Sequence, residues 1–148
     1  MRRRCGEKKG KQSLGRSRGG FTTKIHLATD ALGNPVRVRL TPGQSGDAPQ
    51  ARPLIENIAC ECLIADKAYD DQSFIDEVAE RGIKVVIPAR RNRRQPREHD
   101  REMYKERHLI ECCINKMKQY RRVFSRFDKL DSRYLGFVWL VGSLIWLR

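Results

Sequence analysis

Two short alternating segments flank one turn, and together they constrain the fold more than any other feature of the chain. In residues 22–29 (TTKIHLAT), Ile25 and Leu27 fall on one face of an extended backbone. In residues 36–40 (VRVRL), Val36, Val38 and Leu40 face one way and Arg37 and Arg39 the other. Residues 30–35 between them (DALGNP) are rich in turn formers, so the period of two predicts a β-hairpin over 22–40. The loop 41–46 (TPGQSG) follows. Residues 47–58 then predict a helix, with Ala51, Leu54, Ile55 and Ile58 on one side and Asp47 as N-cap.

The pattern changes further on. The apolar run 62–65 (CLIA) stops at Asp66 and is the type expected of a buried parallel strand. A helix over 71–81 presents Phe74, Ile75 and Val78 and is terminated by Gly82. Residues 84–88 (KVVIP) form a second buried strand. One long helix is expected from about 101 to 121 and a last one from about 133 to 147. The order ββαβαβαα predicts an α/β fold, with a parallel strand–helix–strand portion beside an antiparallel hairpin.

Charge narrows the choice of partner. Among 148 residues, 31 Lys and Arg face 18 Asp and Glu, a net charge of +13 that favours a polyanion such as nucleic acid. Residues 1–20 hold eight basic side chains (Arg2, Arg3, Arg4, Lys8, Lys9, Lys11, Arg16, Arg18) against Glu7, with five glycines, and are expected to be a flexible segment. A second basic cluster is Arg90, Arg91, Arg93, Arg94 and Arg97, expected to be solvated and to contact phosphates. No apolar stretch follows the first arginines as a secretion signal would require. The apolar stretch 135–147 is shorter than the roughly 20 residues a bilayer needs, so no membrane partner is expected. The five cysteines (Cys5, Cys60, Cys62, Cys112, Cys113) lack zinc-site spacing, and their odd number fits reduced thiols in a cytoplasm. His26, His99 and His108 are not paired at metal spacing, and Trp139 and Trp146, seven residues apart, are read as core.

The helix over 101–121 carries the chemistry. Tyr104, Arg107, Glu111 and Lys118 fall within an arc of roughly 60° at about 100° per residue. Ile110, Cys113, Ile114 and Met117 form a separate apolar stripe that faces the core. By itself the polar stripe reads more readily as a solvated face with an Arg107–Glu111 pair. Asp66 adds weight, because ligands of α/β sheets bind at the carboxyl ends of strands. A strand-end Asp and a helix Glu can converge on divalent metal, for which carboxylate oxygens suit Mg²⁺ or Mn²⁺.

The spacing Tyr104-x2-Arg107-x3-Glu111-x6-Lys118 resembles the signature around the catalytic Glu of the IS4/IS5-type DDE transposases of insertion sequences. Asp66-Lys-Ala-Tyr69 is similar to the motif of their second catalytic Asp. GRSRGGFTTKIH (15–26), DALGNP (30–35), LTPGQ (40–44), IPARRNRR (87–94) and YLGF with LIWLR (134–148) resemble the IS5 family, so the resemblance covers nearly all of 15–148. It implies an RNase H-like domain over 21–148, the C-terminal portion of a transposase acting on insertion-sequence ends and target DNA. It further implies that Asp66 and Glu111 are catalytic and hold Mg²⁺ or Mn²⁺, while Tyr104, Arg107 and Lys118 contact transposon-end DNA or position the active site; DNA contacts by Arg90, Arg91, Arg93 and Arg94 are expected from their charge. Water would attack the phosphodiester at the element end, and the freed 3′-hydroxyl would attack the target. The expected location is the bacterial cytoplasm, at the nucleoid.

One expected part is missing. The first strand and its Asp should precede GRSRGG, where residues 1–14 hold no Asp and no strand pattern. Asp30 and Asp47 are poor substitutes, since one reads as a turn cap and the other as a helix cap. The chain is therefore expected to be partial, as the downstream frame of a frameshifted element or as a decayed copy. Activity would need an upstream-frame segment, and without the central strand the hairpin and the Asp66 strand must pair directly or leave edges open, favouring self-association. The competing reading is an inactive DNA-binding remnant of a transposase.

Overall fold

The β-hairpin forms where the alternation places it. In the computed structural model, which describes residues 12–18 and 20–148, β2 (Gly20–Thr29) pairs antiparallel with β3 (Pro35–Pro42), Leu27 opposite Val38 and Ile25 opposite Leu40. The turn between them is closed by Asp30, whose Oδ1 accepts the amides of Leu32 (2.9 Å) and Asn34 (2.8 Å). Gly33 takes φ +82°, a left-handed conformation that Gly adopts at little cost. A short strand β1 (Gly15–Ser17) extends the sheet against Gly20–Thr22. It begins the sheet earlier than the sequence pattern shows. Residues 1–11 of the expected flexible segment, Cys5 and seven of its charged side chains included, lie outside the described residues.

The hairpin lies between two apolar layers. Its Leu27–Val38 face packs on Cys113, Met117, Val123, Tyr134, Val138, Val141 and Ile145. Those residues come from α4 (His108–Lys118), α5 (Arg121–Phe124) and α6 (Asp131–Trp146). The opposite face meets α1 (Ala51–Ile55), where Arg37 on β3 donates to the carbonyls of Pro53 (3.1 Å) and Glu56 (2.5 Å). These carbonyls end a helix and have no partner within it.

Helix α1 is shorter than the expected 47–58. A 3₁₀ turn occupies Ala48–Gln50, and Asn57 at φ +57° closes the segment in the left-handed conformation that commonly ends helices. Asp47 caps nothing. It is itself helical in φ and ψ, and its carboxylate pairs instead with Lys24 at 3.0 Å.

The strand–helix–strand unit follows as expected. β4 (Cys62–Ile64) and β5 (Lys84–Val86) pair in parallel, joined by α2 (Gln72–Glu80). Asp71 caps α2 through the Phe74 amide at 2.9 Å, and Gly82 beyond its end has φ +76°. Phe74, Ile75 and Val78 pack with Ala51, Leu54, Ile55, Ile83 and Ile87 in a second core. The two sheets do not join: among the described residues β2 pairs with β3 alone over 23–29, and β4 pairs only with β5. Direct pairing of the hairpin with the Asp66 strand, one of the two expected alternatives, does not occur among the described residues.

The long helix of 101–121 is broken into pieces. α3 (Arg101–Tyr104) passes into a 3₁₀ turn at Lys105–Arg107, then into α4, and the chain turns at Tyr120 into α5. The apolar stripe of α4 faces the core as expected, with Cys113 and Met117 buried and Ile110 and Ile114 packed beside them. α6 returns over β3 and α4. Its start is clamped to the N-terminal segment, since Asp131 accepts both the Ser13 amide (2.8 and 2.7 Å) and the Ser13 hydroxyl (2.6 Å) and pairs with Arg126 at 2.7 Å. Trp139 and Trp146 are not core residues. They lie at the rim of α6, 37% and 52% exposed, with the Trp146 indole N–H donating to the Pro35 carbonyl at 2.8 Å. No helix of the described residues is long and apolar enough to cross a membrane.

Candidate active site

Asp66 stands at the carboxyl end of β4, where the chain leaves the strand for a 3₁₀ turn at Lys67–Tyr69. Its Oδ1 caps that turn by accepting the Ala68 amide at 2.7 Å. Oδ2 is left to face Arg107, whose Nη2 lies 3.7 Å away. The same guanidinium pairs through Nη1 with Oε1 of Glu111. One arginine thus bridges two carboxylates that are 45 residues apart in sequence and lie on different layers of the fold. Both remain accessible, Asp66 at 38% and Glu111 at 52% of the side chain, against 30% for Arg107.

The 3₁₀ turn at Lys105–Arg107 contributes to this arrangement. At three residues per turn it places positions i and i+3 in line, so Tyr104 and Arg107 point the same way more closely than in an α-helix. Both line a cavity of about 500 Å³ with Asp66, Lys67, Ala68, Pro88 and His99. The His99 and Tyr104 rings meet edge to face at 5.3 Å. Lys118 is exposed at the far end of α4, about 10 Å along the axis from Glu111 at 1.5 Å per residue. The structure therefore gathers Asp66, Tyr104, Arg107 and Glu111 and leaves Lys118 one helix length away.

A buried polar network backs the Asp66 turn, and no motif announced it. His26, on the hairpin, contacts Thr41 Oγ1 through Nε2 (2.7 Å) and the Tyr69 hydroxyl through Nδ1 (3.3 Å). Burial holds His26 below its usual pKa, against the pull of Asp47, 3.9 Å from its ring. Burial, together with Asp47 and Asp66, pushes the Tyr69 phenol up to about 12, so it stays protonated at neutral pH. The consistent arrangement has Tyr69 donating to Nδ1 and His26 Nε2–H donating to Thr41.

The substitutes considered for a third carboxylate are engaged elsewhere. Burial works to raise the Asp30 pKa, but hydrogen bonds from Asn34, Leu32 and Gly33 outweigh it and lower it, as befits a turn cap. Asp47 pairs with Lys24. Among the described residues no three His, Cys, Asp or Glu side chains converge as a metal cluster. Asp66 and Glu111 alone supply two hard oxygen donors, which fits Mg²⁺, an ion commonly bound by one or two carboxylates with waters completing its shell.

The arginine cluster divides. Arg90 donates to the carbonyls of Lys67 (3.1 Å) and Ala68 (2.7 Å), and Arg93 and Arg97 pair with buried Asp70 at 3.4 and 3.0 Å. Arg91 and Arg94 are exposed and, among the described residues, make no side-chain hydrogen bond or ion pair. The expectation of a solvated cluster therefore holds for Arg90, Arg91 and Arg94, which are exposed, and not for Arg93 and Arg97, which are half-buried against Asp70.

The structure is thus a mixed α/β fold in which a strand-end Asp and a helix Glu meet on one arginine. The family model described as "Transposase DDE domain" matches residues 2–146, and the chain belongs to that family. It is 41% identical over 131 residues, 86% of the chain, to the whole of a Brucella ovis protein described as "Putative transposase for insertion sequence element IS6501". A Burkholderia cepacia protein with the corresponding description for element IS402 is 31% identical over 156 aligned positions, which take in 97% of this chain and 71% of that protein. No solved structure gives a significant match.

Proposed function

We propose that this chain carries part of a metal-dependent site for phosphodiester cleavage and strand transfer on DNA, within an RNase H-like arrangement of the IS5 type. The observation that carries the reading is the convergence of Asp66 and Glu111 on Arg107, from two separate layers, in the positions where family resemblance expects catalytic carboxylates. When bound there, Mg²⁺ or Mn²⁺ supplies Lewis-acid activation of a phosphodiester and of the attacking oxygen. Asp66 and Glu111 would hold the ion. Arg107, which neutralises the two carboxylates while no ion is there, would give them up to the ion and, with Tyr104, orient a sugar–phosphate strand in the cavity. Lys118, Arg91 and Arg94 would hold phosphates further along, with Arg90 and Arg93 supporting the same surface.

The open edges of β2 and β4 support the further proposal that a strand bearing another carboxylate, from an upstream segment, completes the sheet and the site. Association of two copies through those edges is the alternative way to satisfy them. The competing function, DNA binding without cleavage, draws on the same +13 charge and on the fact that, among the described residues, no third carboxylate converges with Asp66 and Glu111. Glu111→Gln separates the two. In a protein completed with the upstream segment it should abolish cleavage of element ends and leave binding within about threefold. Cleavage that survives the change rules out the role given to Glu111. Cleavage absent from the completed protein itself favours the binding function.

A further inference from the structure

The five arginines of 90–97 differ in what they are free to do, and one buried carboxylate sets the difference. The Asp70 side chain is 1% exposed. Its Oδ2 accepts the Arg90 amide at 2.8 Å and lies 3.4 Å from Arg93 Nε, while its Oδ1 accepts from Arg97 Nη2 at 3.0 Å. Arg97 donates further to the Ile87 carbonyl and to Gln72 Oε1, both at 3.3 Å. Arg90 holds the carbonyls of Lys67 and Ala68, in the turn that Asp66 caps. Between the end of β5 at Val86 and the start of α3 at Arg101 the chain has no regular structure of its own. Its side-chain contacts from Arg90, Arg93 and Arg97 run to Asp70, to the Asp66 turn, to Gln72 and to Ile87.

We propose that Asp70 is a positioning residue: its carboxylate fills an anion pocket made by the Arg90 amide, Arg93 and Arg97, fixing the arginine loop against the Asp66 turn. It withholds Arg93 and Arg97 from phosphate and leaves Arg91 and Arg94 as the loop's DNA contacts. The DNA half of this inference rests on the function proposed above; the ordering of the loop does not. A buried acid must be paired, so Asp70 takes cations that an isolated basic loop would offer to any polyanion. The loop then presents a limited charge at a defined place beside the cavity, in place of a mobile run of five.

The test measures affinity of the full chain for a short fluorescein-labelled duplex over a salt series, with trypsin digestion of the free protein alongside. Removing one side chain that neutralises a phosphate should reduce the slope of log affinity against log salt by about 0.9. The double variant Arg91→Ala/Arg94→Ala should therefore flatten the slope by about 2, whereas Arg97→Gln should leave it unchanged. Asp70→Asn keeps the side-chain shape and frees two guanidinium groups, so in protein that circular dichroism shows to be folded its slope should steepen by about 1 to 2. Its loop should also be cut by trypsin within 90–97 at least about tenfold faster than in the native chain, since an ordered backbone resists the protease. A flattened slope in Arg97→Gln, or an unchanged one in the double variant, overturns the partition of the arginines. If Asp70→Asn does not fold, these two variants decide the partition. Equal trypsin rates in folded Asp70→Asn overturn the positioning role. If the native chain shows no affinity for the duplex even at low salt, the DNA function fails, and the digestion still decides whether Asp70 orders the loop.

Discussion

Replacing Phe74 by Leu tests whether the two halves of the candidate site stand on separate cores. Phe74 is 1% exposed and lies in the layer of α2, α1 and β5 that carries Asp66, while Glu111 stands on α4 over the other layer. A fully buried Phe side chain covers about 150–200 Å², worth about 4–5 kcal/mol at about 25 cal/mol per Å². Leu refills much of that space, so the expected cost is about 1–2 kcal/mol, small enough to keep a domain folded. The loss should be local. Amide hydrogen exchange followed by mass spectrometry should quicken by about fivefold to thirtyfold in peptides covering 62–86. Peptides covering 108–118 and 131–146 should change by less than about twofold. Equal acceleration in both sets would overturn the idea of separate cores, because it would mean that the hairpin between the layers couples them into one cooperative unit.

Other expectations follow from single contacts. Asp131→Ala removes the acceptor of the Ser13 amide and hydroxyl and the carboxylate paired with Arg126, whose side chain is 8% exposed and keeps its bonds to Thr23 and to backbone carbonyls, so chemical denaturation should show a loss of about 1–3 kcal/mol. Burial works to raise the Asp131 pKa, but bonds from Ser13 and Arg126 lower it. Its contribution is thus present above the ordinary carboxylate pKa and lost as pH falls through the lowered value, and Asp131→Ala should flatten the acid limb of the stability curve. His26 behaves in the opposite chemical sense: burial lowers its pKa from 6.5, so the unfolded chain takes up the proton first and stability should fall as pH drops below about 6.5. His26→Gln should remove that part of the decline in thermal melts between about pH 7.5 and 5.5. Arg107→Ala takes away a cation 3.7 Å from Asp66, worth about 1 kcal/mol at water-like screening, and should raise Mn²⁺ affinity about fivefold or more in a calorimetric titration. A fall in affinity would mean that Arg107 organises the carboxylates more than it competes with the ion.

Local patterns were legible in the sequence, and long-range wiring was not. The hairpin follows from a period of two around DALGNP, and β4–α2–β5 from two apolar runs with Asp71 and Gly82 punctuating the helix between them. Each signal lies within about ten residues of the structure it specifies. The segment 101–121 reads as one helix because nothing in Lys105–Arg107 is a helix breaker, and the 3₁₀ turn there leaves no compositional trace. The helix at Asp47 was overestimated because the cap signal is a residue type, and Lys24, far upstream, takes the carboxylate instead.

The same division holds for the site. Glu111 and Arg107 are an i,i+4 pair visible in the spacing, while Asp66 meets them only because the turn at the end of β4 comes close to the 3₁₀ turn at Lys105–Arg107. Asp70 was missed because its partners lie 20 to 27 residues away and include a backbone amide, which no side-chain pattern encodes. His26 offered only its place in an alternating strand. Its partners Thr41 and Tyr69 lie across the hairpin and on the Asp66 turn, so the contact emerges only when the strands pair.

Whether Asp66 and Glu111 hold a divalent ion together is decided by titrating Mn²⁺ into the native chain, Asp66→Asn and Glu111→Gln, read by electron paramagnetic resonance with Mg²⁺ as competitor. The expected result is a site in the native chain that Mg²⁺ displaces and that each substitution removes, while thermal melts stay within a few degrees. Mn²⁺ binding that persists unchanged in both variants would take the metal away from these two carboxylates, and with it the proposed chemistry.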